Sequence, residues 1–592
     1  MDSPIQDPLI GSEAGAEGIL GGNRVSGSSL IGGGLGPKRT PDSQGYQHEE
    51  TEARETSPLM YGSGGGAPTR AGEIDDWEGV PWHRKPSVFW LLPPFCLFTM
   101  AFGGVTVPRL NVILALICQQ YYTDNGYTGN LILPVLMGGE NDKQCKEPEV
   151  QALVSKFMLY MSLVAGILSA FTSPRLGSLS DRYGRRLAMA FSSFGLLASE
   201  ITTILAAKYP DLFSVDILLF GSLIDGICGS FMLGMALSYS YGADCTSPAR
   251  RAVAFGYFQG CLFLGIAIGP VLGGLLIEKT NNILSVFYLA LGAHAVFISY
   301  VVFFMPESLS ERRMVLAREK HKREQMELRE GTPKHWWDSF NPTNLLRPLT
   351  ILFPTGRGSS ARLRLNLMLL AATDCVLFGV GIGSITVILI YAEAKFDWGN
   401  FESSIYVSIV NCFRVTMLFV VLPLVVTFFR RGSTEQNLHR GCDALDINLI
   451  RFSIAVETTG YLSYALAQRG GQFTTAGVLT ALGGIGSPTL QSSLTKHIPP
   501  DKTGKLLGAT ALLHSLARVV APTYVSTVVF NLVYASTVAT YPQTVFVCLS
   551  STFGIAVVCS LFLTPGVFWN DADEGDGEEE TQEEQAPLLS SG

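Results

Sequence analysis

Charge is scarce in this sequence. Only 16% of its 592 residues are Asp, Glu, Lys or Arg, whereas 47% are hydrophobic. Soluble globular chains carry about 25% charged residues, so the composition excludes an ordinary soluble domain of this size and predicts a membrane protein. The net charge of -8 reflects acids that concentrate near the two ends, at 48–55 and 571–584, which we interpret as solvated tails. Nucleic acid is not an expected partner.

Zinc-like cysteine spacing is also missing. The 11 cysteines show no CxxC pattern, and most stand inside apolar runs, where a thiol behaves as a small hydrophobe. Cys118 and Cys145 differ because they flank one long loop that is predicted to face away from the cytosol, and the sequence leaves a disulfide between them open. We find no nucleophile–base pair, phosphate-binding loop or metal-ligand cluster. We therefore expect neither an enzyme nor a bound cofactor or metal.

Long apolar stretches dominate the rest of the chain. After residue 85 there are twelve of them, each of about 20 residues, which is the length a helix needs to cross ~30 Å of hydrocarbon. No secretory signal precedes them, so the first stretch is expected to direct insertion. Lys and Arg fall mainly in alternate loops, which predicts cytoplasmic termini. The centres of spans 1–12 lie at Met100, Val164, Gly195, Asp225, Leu264, His294, Phe378, Met417, Glu457, Leu482, Ala517 and Ile555.

The loop between spans 2 and 3 reads GSLSDRYGRR, residues 177–186. Its glycines permit a tight turn, and Asp181 can pair with arginines or with the positive end of a neighbouring helix. The arginines also keep the loop in the cytoplasm. The order of Gly177, Asp181, Arg182, Gly184 and Arg185 resembles the signature loop that joins the second and third helices of major facilitator transporters.

Span 5 is rich in glycine. Glycines at such spacings let helix backbones touch, and a proline in mid-membrane bends the helix, which together predict a close, deformable contact between bundles. Ordinary small-residue packing is the alternative. The pattern resembles the antiporter motif of proton-coupled efflux members of the same superfamily, and it consists of Gly256, Gly265, Gly269, Pro270, Gly273 and Gly274.

The two halves show a faint repeat, because Gly256 to Pro270 in span 5 and Gly508 to Pro522 in span 11 share one spacing. With Asp244 and Arg251 in the loop after span 4, the motifs resemble fungal major facilitator transporters related to bacterial tetracycline/proton antiporters, and also the animal proton-coupled folate transporter group. The resemblance implies two six-helix bundles that rock about a central cavity lined mainly by helices 1, 4, 7 and 10.

This fold class is an all-α membrane protein with 12 transmembrane helices in two six-helix bundles, the major facilitator fold, with disordered tails. The expected divisions are a cytoplasmic tail (1–85), the N-terminal bundle (86–306), a cytoplasmic linker with an amphipathic helix (307–364), the C-terminal bundle (365–566) and an acidic cytoplasmic tail (567–592). One departure stands out: efflux members commonly carry an arginine where span 4 has Asp225. The direction of coupling therefore stays open.

Ionisable side chains in mid-span cost about 2.5–3.5 kcal/mol each on insertion scales, so they need partners or a water-filled cavity. Asp225 and Asp374 are the candidates for proton coupling, because burial and nearby charge change a carboxylate's affinity for protons as a cavity opens and closes. The alternative is that they form static pairs with Arg414 or Arg518. For Glu457 and His294, in the peripheral spans 9 and 6, structural pairing is favoured. The substrate-cavity candidates are Arg414, Arg518, His514 and Arg109.

Two tail segments concern location. EQAPLL, with Glu584, Leu588 and Leu589, and ETSPLM at 55–60 resemble sorting signals that adaptor proteins recognise. They favour a vacuolar or endosomal membrane over the plasma membrane. The expected partners are thus the lipid bilayer, a small-molecule substrate, protons and sorting adaptors, and we expect a monomer.

The leading functional hypothesis is a secondary active transporter that exports a small organic compound, such as a drug or metabolite, in exchange for protons. Proton-coupled uptake of an organic anion is the second hypothesis, which the cavity arginines would suit. A non-transporting nutrient sensor with signalling tails is the third. The intact motifs of the 2–3 loop and of span 5 favour transport over sensing.

Overall fold

The computed structural model describes residues 77, 80–125, 148–329, 347–355, 358–398, 400–430, 441–523, 541 and 543–569. Most of the two predicted tails, with the sorting candidates Glu584, Leu588 and Leu589, lies outside the described residues. Within these ranges all regular structure is helical.

The first half contains six helices that cover spans 1–6. Their bounds are α1 Val88–Gly104 and Thr106–Asp124, α2 Pro148–Tyr183, α3 Arg185–Lys208, α4 Ile217–Ile227 and Ser230–Cys245, α5 Arg251–Thr280, and α6 Leu284–Phe303. Glycine sets two of the breaks, because Gly184 between α2 and α3 has φ 100° and Gly229 within α4 has φ 88°, a region that side chains with a Cβ rarely adopt. The charged linker forms a helix over Glu311–Arg329, as its periodicity predicts.

In its described residues the second half also has six helices, which cover spans 7–12. A short 3₁₀ turn, Arg347–Leu352, precedes them. Their bounds are α7 Ala361–Phe396, α8 Asn400–Thr416 continued through a π-turn at Met417–Val421 to Leu422–Arg430, α9 Ala444–Leu466, α10 Gly470–Leu482 continued through a 3₁₀ turn at Gly483–Ile485 to Gly486–Lys496, α11 Thr503–Thr523, and α12 Thr544–Leu561.

All twelve predicted centres fall inside α1–α12, so the predicted fold class is confirmed. Within the described parts of the chain, nine helices are long and apolar enough to cross a membrane. The other three helices, α9, α10 and α11, fall outside that set. A run of Gly, Ser, Thr and Gln lies in α10 between Gly483 and Thr495, and the side chains of α11 from residue 518 onward lie outside the described residues. Large apolar side chains such as Phe220, Phe428 and Ile555 are exposed, as lipid-facing residues should be.

Two pairs of crossing helices bring the two halves into close contact through glycines. Where α2 crosses α11, a Cβ on Gly177 would lie 2.5 Å from the carbonyl oxygen of Gly504, and one on Gly508 would lie 3.0 Å from that of Ser173. Where α5 crosses α8, a Cβ on Gly256 would lie 2.7 Å from Leu422 Cδ2. Gly256 and Gly508, which the sequence repeat pairs, thus each lie at one of these two crossings.

The rest of the span 5 pattern lies elsewhere. A Cβ on Gly269 would lie 2.6 Å from the backbone nitrogen of Gly104, and Gly265 and Gly273 also face α1. Gly274 has no neighbour within 4 Å of such an atom. The expectation of a contact between bundles therefore applies at Gly256 and not at Gly265 or Gly269, which fasten α5 to α1 inside the first half, because α1 is the helix whose own glycines allow so close an approach.

Candidate functional site

Polar groups join the two halves at the end that carries the α2–α3 loop, the predicted cytoplasmic end. Arg185 is fully buried, and its guanidinium binds Asp181 Oδ1 at 2.7 Å and Asp244 Oδ2 at 2.9 Å. The Asp181 carboxylate also accepts the backbone N–H groups of Gly504 and Lys505, each at 2.9 Å. These are the free N–H groups of the first turn of α11, where a negative charge is stabilised. We call this set of contacts the lock.

Other residues of the first half support the lock from behind. Glu307, which follows α6, accepts the backbone N–H groups of Arg185 at 2.8 Å and Arg186 at 3.1 Å. The Ser308 hydroxyl donates to Asp244 at 3.0 Å. The start of α3 is therefore fixed by two acids from different segments. Of the motif residues, Gly177 lies at the α2–α11 crossing and Gly184 at the turn, while Arg182 donates to the carbonyl oxygen of Ser178 on its own helix.

A second contact of the same kind runs from Arg251. This buried arginine begins α5, and its Nη1 donates to the carbonyl oxygen of Thr495 in the last turn of α10 at 3.4 Å. A cation is favourable there because the last carbonyls of a helix carry partial negative charge. Both contacts tie the first half to helix ends of the second half, and the structure is therefore closed at this end.

The second half has its own buried ion network at this end. Arg430 Nη2 lies 3.0 Å from both Asp443 Oδ2 and Asp446 Oδ1, and Lys496 binds Asp446. Burial raises the pKa of the Asp443 carboxyl despite the nearby cations Lys496 and Arg430. Next to this network His497 Nδ1 donates to the carbonyl oxygen of Ser493 at 2.7 Å, and burial lowers the pKa of His497 to about 4.

Asp374 forms the centre of a second polar cluster, which is built by α7, α10 and α11 of the second half. Its Oδ2 lies 2.7 Å from His514 Nε2 on α11 and 2.6 Å from Gln491 Nε2 on α10. Asp374 is only 2% exposed, whereas His514 is partly exposed. The imidazole stacks on Phe378, with ring centres 4.1 Å apart. A carboxylate and an imidazole in contact form a pair that can take up and release a proton.

The first half approaches this Asp374–His514 pair. Tyr239 of α4 lies within electrostatic range of Asp374, and its hydroxyl donates a hydrogen bond to Gln259 of α5. Ser169 of α2 and Ser515 of α11, next to His514 in sequence, are hydrogen-bonded at 3.0 Å. The pair thus lies beside the contact between the two halves.

Asp225 lies in a different place, between α3 and α4. A Cβ on Gly195 of α3 would lie 3.0 Å from the Cα atom of Asp225. Asp225 acts electrostatically on Glu200, a fully buried acid of α3 that forms a salt bridge with Arg109 of α1. The two proton-coupling candidates therefore lie in separate clusters. Asp225 belongs to a polar group inside the first half, whereas Asp374 belongs to the cluster of the second half.

The remaining candidates are divided. Arg414 of α8 stacks on Phe263 of α5, with its Cζ 5.0 Å from the ring centre. Glu457 of α9 lies within electrostatic range of the Arg414 guanidinium. Asp374 has His514 and Gln491 as partners, so a static Asp374–Arg414 pair is not formed. The side chain of Arg518 lies outside the described residues. Cys118 is disulfide-bonded, and Cys145, the partner that the sequence leaves open, lies outside the described residues.

Sequence reasoning missed Glu200, Gln491 and Glu307. Glu200 offered a signal, because it is an acid in the middle of span 3 and the insertion cost that singled out Asp225 applies to it equally. Gln491 and Glu307 offered none, since an uncharged amide and an acid after a span are common in membrane proteins.

Comparisons with known proteins agree with this architecture. The MFS-type transporter avaJ of Aspergillus versicolor is 29% identical over 524 residues, which cover 87% of this chain and 95% of the relative. The class C tetracycline resistance protein of Escherichia coli is 27% identical over 415 residues, 69% of this chain and 87% of the relative. Among solved structures, the human organic anion transporter MFSD10 superimposes with a TM-score of 0.58 at 17% identity, covering 81% of this chain and all of that one.

The resemblance that the motifs indicated is thereby confirmed, including the tetracycline-related and folate-transporter-related groups. The chain is therefore an integral multi-pass membrane protein of a transporter family and not an enzyme. Residues 149–522 match the Major Facilitator Superfamily, and the chain belongs to that superfamily.

Proposed function

We propose that the chain moves a small organic compound across the membrane by alternating access and that Asp374 carries the coupled proton. The observation that supports this is the contact of a buried carboxylate with an imidazole at 2.7 Å beside the meeting plane of the two halves. A charge so costly to bury needs a reason to be there, and proton uptake is one that transport explains.

The partners of Asp374 suggest how a proton changes the structure. In the ionised form Oδ2 accepts hydrogen bonds from both Gln491 and His514, which hold α10 and α11 to α7. Protonation of the carboxylate removes charge from both bonds and weakens them, because charge-assisted hydrogen bonds are about twice as strong as neutral ones. Proton uptake therefore loosens α11 from α7.

The N-terminal end of the same helix, α11, lies at the lock. Asp181 holds the N–H groups of Gly504 and Lys505, and His514 follows Lys505 by nine residues on α11. At 1.5 Å per residue these points are about 14 Å apart along one helix. A shift of α11 that begins at Asp374 is thus transmitted to the contact that closes the predicted cytoplasmic end. This is how we propose that proton binding is linked to opening.

For direction, we propose export in exchange for protons. Support comes from the glycine pattern of α5, which resembles the antiporter motif, and from the similarity to a tetracycline resistance protein. Uptake of an organic anion together with protons is the second candidate. It is favoured by Arg414, a cation beside the contact between the halves.

For location, we propose a vacuolar or endosomal membrane, on the strength of the acidic dileucine segment that ends at Leu589. Recognition by sorting adaptors would place the chain there. Replacing Leu588 and Leu589 by Ala should move a fluorescently tagged chain to the plasma membrane, and an unchanged distribution would contradict the proposal.

The transport proposal is tested with purified protein in sealed vesicles under an imposed pH gradient. A panel of cationic, neutral and anionic compounds is offered, and the sign of proton-driven flux separates export from uptake. Asp374→Asn should lose the driven flux. Asp397→Asn is the matched control, because Asp397 is exposed at the end of the same helix and its φ of 55° suits Asn. Normal driven flux in Asp374→Asn would remove Asp374 from the mechanism, and silence of the wild type across the panel would favour a sensor.

A further inference from the structure

Arg414 is an arginine with an unfilled hydrogen-bonding position. It is partly exposed on α8, yet its Nε is buried and has no hydrogen-bond partner. Its guanidinium stacks on Phe263 of α5, in the other half, and its Cγ would lie 3.5 Å from a Cβ on Gly484. A donor removed from water without a partner is unfavourable, so a ligand that supplies an acceptor would be stabilised there.

Glu457 is the nearby acid. Its Cγ packs where a Cβ on Gly483 would lie, at 2.6 Å, directly beside the 3₁₀ turn of α10. Arg414 and Glu457 sense each other electrostatically but form no salt bridge. A cation and an acid that lie near each other without a salt bridge can exchange partners.

Three tyrosines lie within electrostatic range of Arg414, namely Tyr406 of α8 and Tyr461 and Tyr464 of α9, and all three are buried in the core of the second half. Facing it, α5 contributes Phe263, and α10 contributes uncharged glycines. A guanidinium that stacks on the Phe263 ring suits a compound with a flat apolar body and a planar anionic group, since Arg binds carboxylates through two parallel bonds and also stacks on rings.

We infer that Arg414 binds an anionic group of the transported compound, and that ionised Glu457 competes with that group for the guanidinium. The inference rests on the proposed alternating-access transport but not on its proposed direction, and it specifies the substrate class as an organic anion. When Glu457 is protonated the competing charge disappears, and Arg414 is left with one net positive charge for the ligand. An anion and a proton on Glu457 therefore favour each other's binding, and by reciprocity each raises the affinity for the other.

The test is equilibrium binding to the purified full chain in detergent, with 2-naphthoate as probe and 2-naphthamide as its neutral counterpart of the same shape. Titration calorimetry is run at pH 5.5 and pH 7.5, where 2-naphthoate stays ionised. We expect the wild type to bind 2-naphthoate at least tenfold more tightly than 2-naphthamide, and about tenfold more tightly at the lower pH. In Arg414→Gln the preference for the acid over the amide should disappear.

Two further variants separate charge at the site from general effects. Glu457→Gln should bind 2-naphthoate with the low-pH affinity at both pH values. Arg362→Gln removes one positive charge from an exposed position at the start of α7 and should bind like the wild type. The inference is overturned if wild-type protein shows no preference for the acid, if Arg414→Gln keeps the preference, or if Glu457→Gln keeps the pH dependence.

Binding without a gradient does not depend on proton-driven flux. A negative result here leaves the role proposed for Asp374 standing, and loss of that role leaves the Arg414 site standing. A positive result favours uptake of an anion with a proton over export, because cooperative binding of the two is what cotransport needs.

Discussion

Replacing Asp181 by Asn tests the lock between the two halves. In the structure each carboxylate oxygen accepts one backbone N–H at the start of α11, from Gly504 and from Lys505, at 2.9 Å. An Asn side chain has a single oxygen, so one of these bonds is lost and the other loses its charge. Arg185 keeps Asp244 as a partner at 2.9 Å, so the cation is not left alone.

The magnitude follows from the types of bond. Hydrogen bonds to charged groups contribute about 1.5–3 kcal/mol and neutral ones about 0.5–1.5 kcal/mol. Losing one charged bond and converting the other to a neutral bond removes roughly 3 kcal/mol, and water recovers part of this when the lock opens. A net loss of about 2 kcal/mol in the free energy that favours the closed arrangement corresponds to a factor of about 30 in its equilibrium constant.

Hydrogen exchange measured by mass spectrometry on the segment 500–508 reports this change directly, because the N–H groups of Gly504 and Lys505 are protected only while Asp181 holds them. We expect their exchange in Asp181→Asn to be about 30-fold faster. Asp501→Asn is the control: Asp501 is exposed and its ion pair with Lys320, at 3.2 Å, is a surface pair worth about 0–1 kcal/mol. Unchanged protection in Asp181→Asn, or equal acceleration in both variants, would refute the reasoning.

Two other outcomes are expected. Gly269→Leu should separate α5 from α1 and lower both the thermal unfolding midpoint and the transport rate, since overpacking costs about 1–3 kcal/mol. Gly274→Leu is the control and should match the wild type, because a Cβ on Gly274 has nothing within 4 Å; equal behaviour of the two variants would contradict the packing. His497, with a pKa of about 4 in the folded chain and an ordinary value of 6.5 when unfolded, should reduce stability as pH falls from 6.5 towards 4, because only the unfolded chain takes up the proton. His497→Gln should reduce the pH dependence of the thermal unfolding midpoint over that range, and an unchanged pH dependence would exclude His497 as the cause.

The positions of the twelve helices could be predicted because each is a local, mainly apolar run of about the length that crosses the bilayer. The lock was partly predictable as well, since Asp181 and Arg185 are four residues apart and stand in one motif. Its partner was not: the start of α11 lies more than 300 residues further along the chain. A motif records which residues act together only when they are neighbours in sequence.

The candidate site shows the same limit. Asp374 and His514 were each singled out for their charge in mid-span, but as members of different roles, because no local pattern links residues 140 positions apart. The glycines of α5 indicated a close contact without identifying the helix contacted. Glu200 was missed because it belongs to no motif, and only an even application of the desolvation argument to every span would have found it.

The lock and the Arg251 contact share a property with an evolutionary consequence. Asp181 and Arg251 are side chains, but what they grip in the second half is main chain: the amides that begin α11 and a carbonyl that ends α10. Every residue except proline has a backbone N–H, so position 505 can vary without loss of the hydrogen bond to Asp181. A change at 181 or 251 removes the side chain that makes the contact. At this contact we therefore expect positions 181 and 251 to tolerate little and position 505 to tolerate much, while Gly504 is restricted for a different reason, because a Cβ there would collide with the Arg185 guanidinium.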